Sequence, residues 1–433
     1  MLIQFRVENH RSLCDEQVLS MVAAGTGEPG DERLIHRAGL EEALLPAVAL
    51  YGANASGKTN VVGALRFMME AVRDSQRLWE PDSGTPQEPF ALSSKAGEPS
   101  LYEVDFLLDE VRYRYGFVLS AARVDEEWLE VWRDGEKRSL FERVADEFSF
   151  SVDLPGENEA IKALTRPNSL FLSAAAQNNH QALSSVFGWL STAFFTSWNA
   201  PSHSVMSTEA ALFGHLFGIG RPRSLIKDVH TSISRRRDAI TQLLGSVDTG
   251  IIDIKVVQDD GASKRGLKWW LGTQSEIYLR HRTEDAEREA WLPLAVQSAG
   301  TITLLNMAIP ITAVLERGGL LCVDELEANL HPMVALEIVR LFNDPKQNRH
   351  GAQILFTTHD TNLLGNVLGE PALRRDQVWL TEKDQKGATH LYPLTDFHPR
   401  ADENLERGYL QGRYGAIPFL GQLVSLEAQS GGK

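Results

Sequence analysis

The chain has 433 residues, with 43 Lys and Arg against 58 Asp and Glu, which gives a formal charge of −15. Hydrophobic residues make up 43% of the chain and charged residues 23%, enough apolar material for a full core, so a mostly disordered chain is excluded. The acidity argues against coating nucleic acid non-specifically over the whole surface, because that requires a positive field. The two cysteines, Cys14 and Cys322, lie far apart, which disfavours a zinc ribbon, an iron–sulfur cluster or a disulfide scaffold.

The N-terminus and the most apolar segment bear on localisation. The opening MLIQFRVENHRS is charged within six residues and has no apolar run, so we do not expect a signal peptide. The most apolar longer stretch, Ile302 to Leu315, contains Asn306 and Pro310 and is too short to span a bilayer. We therefore predict a soluble, cytoplasmic protein without a membrane segment.

The first part of the chain predicts a buried strand that feeds a glycine cluster, and then antiparallel hairpins. A short run that is apolar on both faces is typical of a buried parallel strand, and period-two alternation is typical of half-buried strands. The predicted elements are a strand at 1–8, a strand at 46–51, a helix at 58–74, a loop at 75–98 and two hairpins within 101–141 that turn near Asp109–Glu110 and Asp134–Gly135.

The rest of the chain predicts an interrupted helical region followed by alternating strands and helices. Such alternation favours a parallel sheet with right-handed crossovers. The predicted elements are strands at 251–258 and 267–280, a helix at 299–316, a strand at 320–323, a helix at about 332–343, a strand at 353–357 and a strand near 377–382. The change of pattern at 175–245 predicts an insertion, so we divide the chain into 1–174, 175–245 and 246–433.

Residues 52–59, Gly-Ala-Asn-Ala-Ser-Gly-Lys-Thr, match the phosphate-binding pattern G-x-x-x-x-G-K-[ST] between an apolar strand and a helix. Glycines let the backbone curl so that successive amides point at a phosphate, and the helix N-terminus adds a positive dipole. Lys58 would reach the β- and γ-phosphates of ATP, and the Thr59 hydroxyl would ligate Mg²⁺. The predicted nucleotide-binding residues of this region are Gly52, Asn54, Ser56, Gly57, Lys58, Thr59 and Asn60.

Two later apolar strands end in polar residues that suit the same chemistry. Leu320 to Val323 is followed by Asp324, which suits Mg²⁺, and by Glu325, which suits the general base for an attacking water. Ile354 to Thr358 is followed by His359, which can hydrogen-bond a γ-phosphate. Because the carboxyl ends of parallel strands meet at one edge of a sheet, we expect these residues to converge with the phosphate loop.

The segment Gln297-Ser298-Ala299-Gly300-Thr301 opens a predicted helix. A serine and a glycine at a helix N-terminus form an anion site. Since the chain already has one phosphate loop, Ser298 and Gly300 suit a piece that closes over a neighbour's ATP. An ordinary serine cap of the helix is the alternative.

These four elements occur in the order found in ABC-type ATPase heads of the SMC, RecF and OLD group. The loop at 52–59 resembles Walker A, QSAGT resembles the signature motif, LLCVDE resembles Walker B and TTHD resembles the switch histidine. The stretch LEANLHP (326–332) resembles the D-loop of that group, and FRVENHRSLCDE resembles its N-terminal strand and turn. The resemblance implies an α/β fold, an ABC-type P-loop ATPase head with a helical insertion.

Other stretches resemble a subfamily of stand-alone bacterial ATPases from phage-defence and abortive-infection loci, to which the ATPase subunits AriA of PARIS and RloA belong. These stretches are PFALS, TRPNSLFLSAAAQNN, DTGIIDIKV and YLQGRYGAIPF. The resemblance implies a homo-oligomer, at least a dimer, that sandwiches ATP between subunits, and a partner effector such as a TOPRIM-type nuclease. The chain has no D-x-D motif, so we expect no nuclease of its own.

The basic segment 221–237 has two interpretations, a contact for DNA, RNA or an acidic partner, or a solvated helix face. The predicted function is a switch ATPase of anti-phage defence that senses a trigger and controls its partner. A RecF- or SMC-like DNA-repair ATPase is one alternative, and an ATP-assembled scaffold with little turnover is another.

Overall fold

The computed structural model describes residues 1–25, 31–197, 237–247, 250–258, 275–285, 288–367, 369–400 and 403–418. Three sheets and the helices between them form these parts of the chain. The predicted α/β fold is confirmed, with an antiparallel sheet beside a parallel sheet that carries the phosphate loop.

The first sheet is antiparallel and has the strand order β2-β1-β4-β5-β6-β7-β8. Its strands are β1 (Leu2–Glu8), β2 (Gln17–Ser20), β4 (Ser100–Leu108), β5 (Val111–Leu119), β6 (Val124–Arg133), β7 (Glu136–Val144) and β8 (Glu147–Phe150). Both predicted hairpin turns are confirmed, because Asp109, Glu110, Asp134 and Gly135 have positive φ angles between paired strands. Such angles are typical of tight hairpin connections.

The second sheet is the parallel core, with the order β16-β15-β3-β14-β13-β9 and β16 as the antiparallel edge strand. Its strands are β3 (Ala47–Gly52), β9 (Phe194–Ser197), β13 (Leu320–Asp324), β14 (Gln353–Thr357), β15 (Val378–Lys383) and β16 (Thr389–Pro393). Every residue of β3, β13 and β14 is buried, as expected for strands covered on both faces.

The helices cover both faces of the parallel core. They are α1 (Lys58–Leu78), α2 (Asn158–Leu164), α3 (Phe171–Gln177), α4 (Gln181–Ser191), α5 (residues 237–246), α6 (Ala299–Arg317), α7 (Pro332–Asn343) and α8 (Leu405–Leu410). Alternate residues of β3 enter different cores. Val48 and Leu50 pack with α1 and the antiparallel sheet, whereas Ala49 and Tyr51 pack with α6, α7 and α8. Helix α1 is therefore enclosed between the two sheets.

A third, smaller sheet consists of β10 (Ile251–Gln258), β11 (Ser275–His281) and β12 (Ala290–Pro293), all antiparallel. Its buried residues share a core with α5 and with the outer face of α6. Of the predicted strand at 267–280, residues 267–274 lie outside the described residues.

The predicted insertion boundary at residue 175 is wrong. Helix α4 buries Leu183, Val186 and Leu190 in the same core as α1, and the Trp189 ring stacks on Phe106 of the antiparallel sheet at 4.3 Å. Strand β9 then pairs in parallel with β13, which makes it part of the central sheet. The sequence pattern is helical in this region, but packing against α1 joins it to the head at least as far as residue 197.

Helix α6 is long and apolar enough to cross a membrane by length and composition. However, 56% of its apolar window is buried inside the protein, and Pro310 lies within the helix. Its apolar residues are shared between the cores on its two sides. These contacts show that α6 packs as a helix of the protein core.

Candidate functional site

Three strand ends meet at one edge of the parallel sheet, as the sequence predicts. Strand β14 lies between β3 and β13, and all three run in the same direction. Their registers place the phosphate loop after β3, Asp324 at the end of β13 and His359 beyond β14 at this edge. The fold thus assembles the site from segments more than 250 residues apart.

The phosphate loop curls between β3 and α1. Ala55 has a φ of +63° and Gly57 a φ of +110°, and α1 begins directly after Gly57. Asn54 is exposed at the loop tip, while Ser56 is buried beneath it. The Lys58 Nζ donates to the carbonyl oxygens of Gly52 at 2.8 Å and Ala53 at 3.1 Å. The loop's own backbone therefore binds the ammonium group that is predicted to hold phosphate.

Burial lowers the pKa of Lys58 to about 8, and the nearby carboxylates of Asp324, Glu327 and Glu325 offset part of this effect. The side chain is almost fully buried, with 6% of its surface exposed. An ammonium in such a place lacks water and gains from an anion that can accept its hydrogen bonds. A phosphate at the loop would supply that anion.

Asp324 joins the phosphate loop to the neighbouring strand. Its Oδ1 accepts hydrogen bonds from the Thr59 hydroxyl at 3.1 Å and from the Thr357 hydroxyl at 2.8 Å. The Thr357 hydroxyl in turn accepts from the backbone amide of Glu325 at 2.7 Å. Thr357 is thus a site residue that the sequence analysis missed, because a threonine that ends a buried strand carries no distinctive signal.

A hydroxyl and one carboxylate suit Mg²⁺, which usually keeps several waters and takes its remaining ligands from substrate phosphates. Thr59 and Asp324 provide that pair. Among the described residues, no group of three or more His, Cys, Asp or Glu could hold a metal ion by itself. The donor set therefore fits a metal that arrives with a nucleotide.

Glu325 follows Asp324 with a φ of +59°, which turns the chain sharply at the end of the strand. The turn brings the next carboxylate, Glu327, to the loop after β14. One oxygen of Glu327 accepts from the backbone amide of His359 at 2.6 Å. Glu327 lies in the segment that resembles a D-loop, but its place in the sequence pattern indicates no role for it.

His359 is exposed at the edge of the site. Partial desolvation and the Lys58 ammonium lower the pKa of His359, against the raising effect of Glu327, Glu325 and Asp324. A neutral imidazole is therefore favoured near pH 7. In that form, one ring nitrogen can donate to a phosphate oxygen.

Ser298 and Gly300 occupy the N-terminus of α6. The Ser298 hydroxyl accepts from the backbone amide of Thr301 at 3.1 Å, which makes Ser298 the helix cap. A side chain at Gly300 would come within 3.1 Å of the Asn329 carbonyl oxygen, so this helix end lies against the D-loop-like segment. In the described part of the chain, no hydrogen bond joins Ser298 or Gly300 to the phosphate loop.

Two other predicted site features have different outcomes. The Asn60 side chain donates to the Ser12 hydroxyl at 2.6 Å, so the N-terminal turn engages it. Within the basic segment 221–237, Arg237 is the one residue that the structure describes. Its Nε atom lies 3.8 Å from Oδ1 of Asp253. The prediction for residues 221–236 lies outside the described residues.

The parallel sheet, its glycine-rich loop and the acidic strand end opposite it define the class of P-loop ATPases. The chain belongs to the family described as "AAA domain, putative AbiEii toxin, Type IV TA system", whose model matches residues 47–365. Among curated proteins, none matches this sequence.

Several solved structures are similar in fold to this chain. The SMC head bound to the C-terminal winged-helix domain of ScpA aligns with a TM-score of 0.47 and 12% identity, over 90% of this chain and 97% of that chain. An SMC head with coiled coil and joint from Pyrococcus yayanosii aligns with a TM-score of 0.45 and 9% identity, over 95% and 99% of the two chains. The SMC head of Thermotoga maritima aligns with a TM-score of 0.38 and 11% identity, over 90% and 98%.

Proposed function

We propose that this chain is an ATP-dependent switch that binds ATP and Mg²⁺, hydrolyses ATP and changes its oligomeric state as it does so. The observation that supports this most directly is the double role of the Asp324 carboxylate. It binds the Thr59 hydroxyl of the phosphate loop and the Thr357 hydroxyl of the neighbouring strand. One polar cluster therefore spans the places where phosphate and metal would meet.

In the proposed site, the backbone amides of residues 52–59 and the Lys58 ammonium hold the phosphates. Thr59 and Asp324 hold Mg²⁺, which would neutralise charge on the phosphate oxygens. For Lys58, this requires exchanging the carbonyl oxygens of Gly52 and Ala53 for phosphate oxygens. Ala55 and Gly57, with positive φ angles, give the loop its curvature. Asn54 lies at the exposed tip, and Ser56 is buried beneath it.

Glu325 would act as the general base that takes a proton from the attacking water, and His359 would bind the γ-phosphate. Phosphoryl transfer depends mostly on positioning and charge stabilisation, so these two side chains complete a site whose main work is electrostatic. Glu327 fixes the His359 backbone and so determines where that ring lies.

We further propose that Ser298 and Gly300 bind the nucleotide of a neighbouring subunit. Ser298 lies exposed at the N-terminus of a 19-residue helix, where amides and the helix dipole favour an anion. The same helix end lies beside Asn329, so the signature-like and D-loop-like segments share one surface. A homo-oligomer that binds ATP between two subunits would place both segments at the subunit interface.

The biological proposal is a cytoplasmic phage-defence ATPase that senses a trigger and controls a toxic partner, such as a TOPRIM-type nuclease. The family description names a putative toxin of a type IV toxin–antitoxin system, which supports a role of this class. The sequence resemblance to AriA and RloA points in the same direction. A DNA-repair ATPase or a scaffold with little turnover would give different results in the tests below.

Phosphate release measured with wild type, Lys58→Ala and Glu325→Gln tests the catalytic proposal. We expect both variants to lose turnover by at least about a hundredfold, but only Lys58→Ala to lose ATP binding. Glu337→Gln, an exposed glutamate paired with Arg340 on α7, is the matched control and should keep full activity. Wild type that binds ATP without releasing phosphate would instead identify a scaffold.

Light scattering with and without ATP and Mg²⁺ tests the oligomer. We expect ATP to form or stabilise an oligomer most clearly in Glu325→Gln, because the oligomer is no longer dissociated by ATP hydrolysis. If wild type and Glu325→Gln both stay monomeric with ATP bound, the proposal that subunits share a nucleotide is wrong.

A further inference from the structure

We infer that the C-terminal hairpin β15–β16 positions the phosphate loop through two buried threonine hydroxyls, Thr381 and Thr389. Both residues lie outside the family-matched region 47–365. Their side chains are fully or almost fully buried, at 0% and 1% exposure. The inference rests on the proposed role of the loop in binding nucleotide, and it adds residues from the two ends of the chain to that site.

Thr389 lies in a hydrogen-bond chain that passes through the N-terminal turn and reaches the phosphate loop. Its hydroxyl donates to the Ser56 carbonyl oxygen at 2.8 Å and lies 2.8 Å from the Ser12 hydroxyl. Because the single Thr389 proton goes to Ser56, the Ser12 hydroxyl must be the donor to Thr389. Asn60 then donates to Ser12 at 2.6 Å. The chain therefore has one direction, from Asn60 through Ser12 and Thr389 to the loop backbone.

Thr381 makes the equivalent contact from the neighbouring strand. Its hydroxyl donates to the Tyr51 carbonyl oxygen at 3.2 Å and lies 2.6 Å from the Ser56 hydroxyl. The Ser56 hydroxyl is thus the donor to Thr381. Ser56 is held at its side chain by one strand of the hairpin and at its carbonyl by the other.

The two glycines of the phosphate loop pack directly on these threonines. A Cβ atom at Gly57 would lie 2.1 Å from the Thr389 hydroxyl and 2.7 Å from its methyl carbon. A Cβ atom at Gly52 would lie 2.4 Å from the Thr381 hydroxyl. Gly57 also has a φ of +110°, which disfavours any other residue. The glycines therefore serve close packing against the hairpin as well as backbone curvature.

This arrangement makes the loop conformation depend on the hairpin. A buried carbonyl that loses its donor is destabilised, so the Ser56 peptide would leave its present position if Thr389 lost its hydroxyl. The amides at 56–58 belong to the same tight turn and would move with it. We call Thr381 and Thr389 positioning residues, because they act on nucleotide only through the loop.

The experiment compares Thr389→Val, which removes the hydroxyl at nearly constant volume, with Thr389→Ser, which keeps it. Thr312→Val is the matched control, since the Thr312 hydroxyl also donates to backbone carbonyls, at 2.9 Å within α6. Hydrogen–deuterium exchange of the loop amides, residues 52–58, is measured in the full chain without nucleotide. The dissociation constant for ATP and the kcat and KM for phosphate release are measured alongside.

For Thr389→Val, we expect loop exchange and the ATP dissociation constant to rise about tenfold, as loss of one buried hydrogen bond would give. KM should rise more than kcat falls. Thr389→Ser and Thr312→Val should behave like wild type. Thr381→Val removes the other buried hydroxyl that contacts Ser56, and its comparison with Thr381→Ser repeats the test if Thr389→Val does not fold.

Two outcomes would overturn the inference. Loop exchange in Thr389→Val equal to wild type would show that the hydroxyl does not hold the loop. Equal damage by Thr389→Ser and Thr389→Val would assign the effect to methyl packing on Gly57. If wild type itself failed to bind ATP, the proposed function would be wrong, but the exchange measurement would still decide the role of the hairpin.

Discussion

One carboxylate oxygen of Glu327 accepts a 2.6 Å hydrogen bond from the backbone amide of His359. The contact joins the segment after the acidic strand end to the loop that carries the histidine. The other oxygen of Glu327 is buried and has no hydrogen-bond partner among the described residues. Glu327 therefore holds His359 in place by one oxygen while its charge acts on Lys58.

Replacing Glu327 with Ala should lower the turnover of ATP about tenfold, because the backbone amide of His359 loses its side-chain acceptor. Glu327→Gln should be milder, since the amide oxygen can still accept from the His359 backbone. In a His359→Ala background, Glu327→Ala should cause little further loss. Steady-state phosphate release of the single and double variants measures this coupling. Independent, multiplicative losses would show that Glu327 does not act through His359.

Replacing Thr357 with Val should destabilise the protein by roughly 1–3 kcal/mol, because the Glu325 amide then has no acceptor and Asp324 loses one donor. Thr357→Ser should restore most of the stability, since its hydroxyl can make both bonds. Urea unfolding of the three proteins measures the difference. Equal stability of Thr357→Val and wild type would contradict the bridging role of this hydroxyl.

Mixing two inactive variants should restore activity if subunits share the nucleotide. Each shared site takes Lys58 from one subunit and Ser298 from the other. In a mixed dimer of Lys58→Ala and Ser298→Arg, one site therefore carries both substitutions and the other carries neither. Random pairing should therefore recover about a quarter of the wild-type sites. Phosphate release after mixing, compared with each variant alone, measures the recovery. No recovery despite demonstrated mixed oligomers would place Ser298 outside a shared site.

His10 should make the stability of the protein depend on pH. Burial and, to a smaller extent, Arg11 lower the pKa of His10 to about 4, while Glu88 acts in the opposite direction. The Nδ1 atom lies 2.9 Å from the Tyr102 hydroxyl, whereas Nε2 is buried without a hydrogen-bond partner among the described residues, so a second ring proton would have no acceptor. The unfolded chain binds the proton near pH 6.5 and the folded chain only near pH 4, so stability falls as the pH drops through this window.

The matching experiment is urea unfolding of wild type and His10→Phe between pH 7 and pH 4. Phe suits a site lined by the rings of Phe67 and Tyr102. Wild type should lose up to roughly 3 kcal/mol relative to the variant on acidification. Exposed His36→Phe is the control and should parallel wild type. Parallel curves for wild type and His10→Phe would show that His10 is not held neutral.

Local patterns in the sequence predict most of the elements that carry the site. The apolar run at 46–51, the glycine-rich loop and the helix after it are contiguous, so their hydrogen bonds and burial follow from neighbouring residues. Helix α1 ends at Leu78, four residues beyond the predicted end. The sequence predicts a loop from residue 75, but Ser75 is buried within the helix. Strand β9 was missed, since only pairing with β13 makes four residues a strand.

The sequence by itself determined which residue types are available for phosphate, metal and proton transfer, because glycines, Lys58, Asp324 and Glu325 stand in short segments with their own pattern. Only the tertiary structure decided which side chains hold these segments in place. Thr357 and Thr389 are ordinary strand threonines in the sequence. Their hydroxyls become part of the site because parallel pairing and burial leave each with a specific backbone or carboxylate partner.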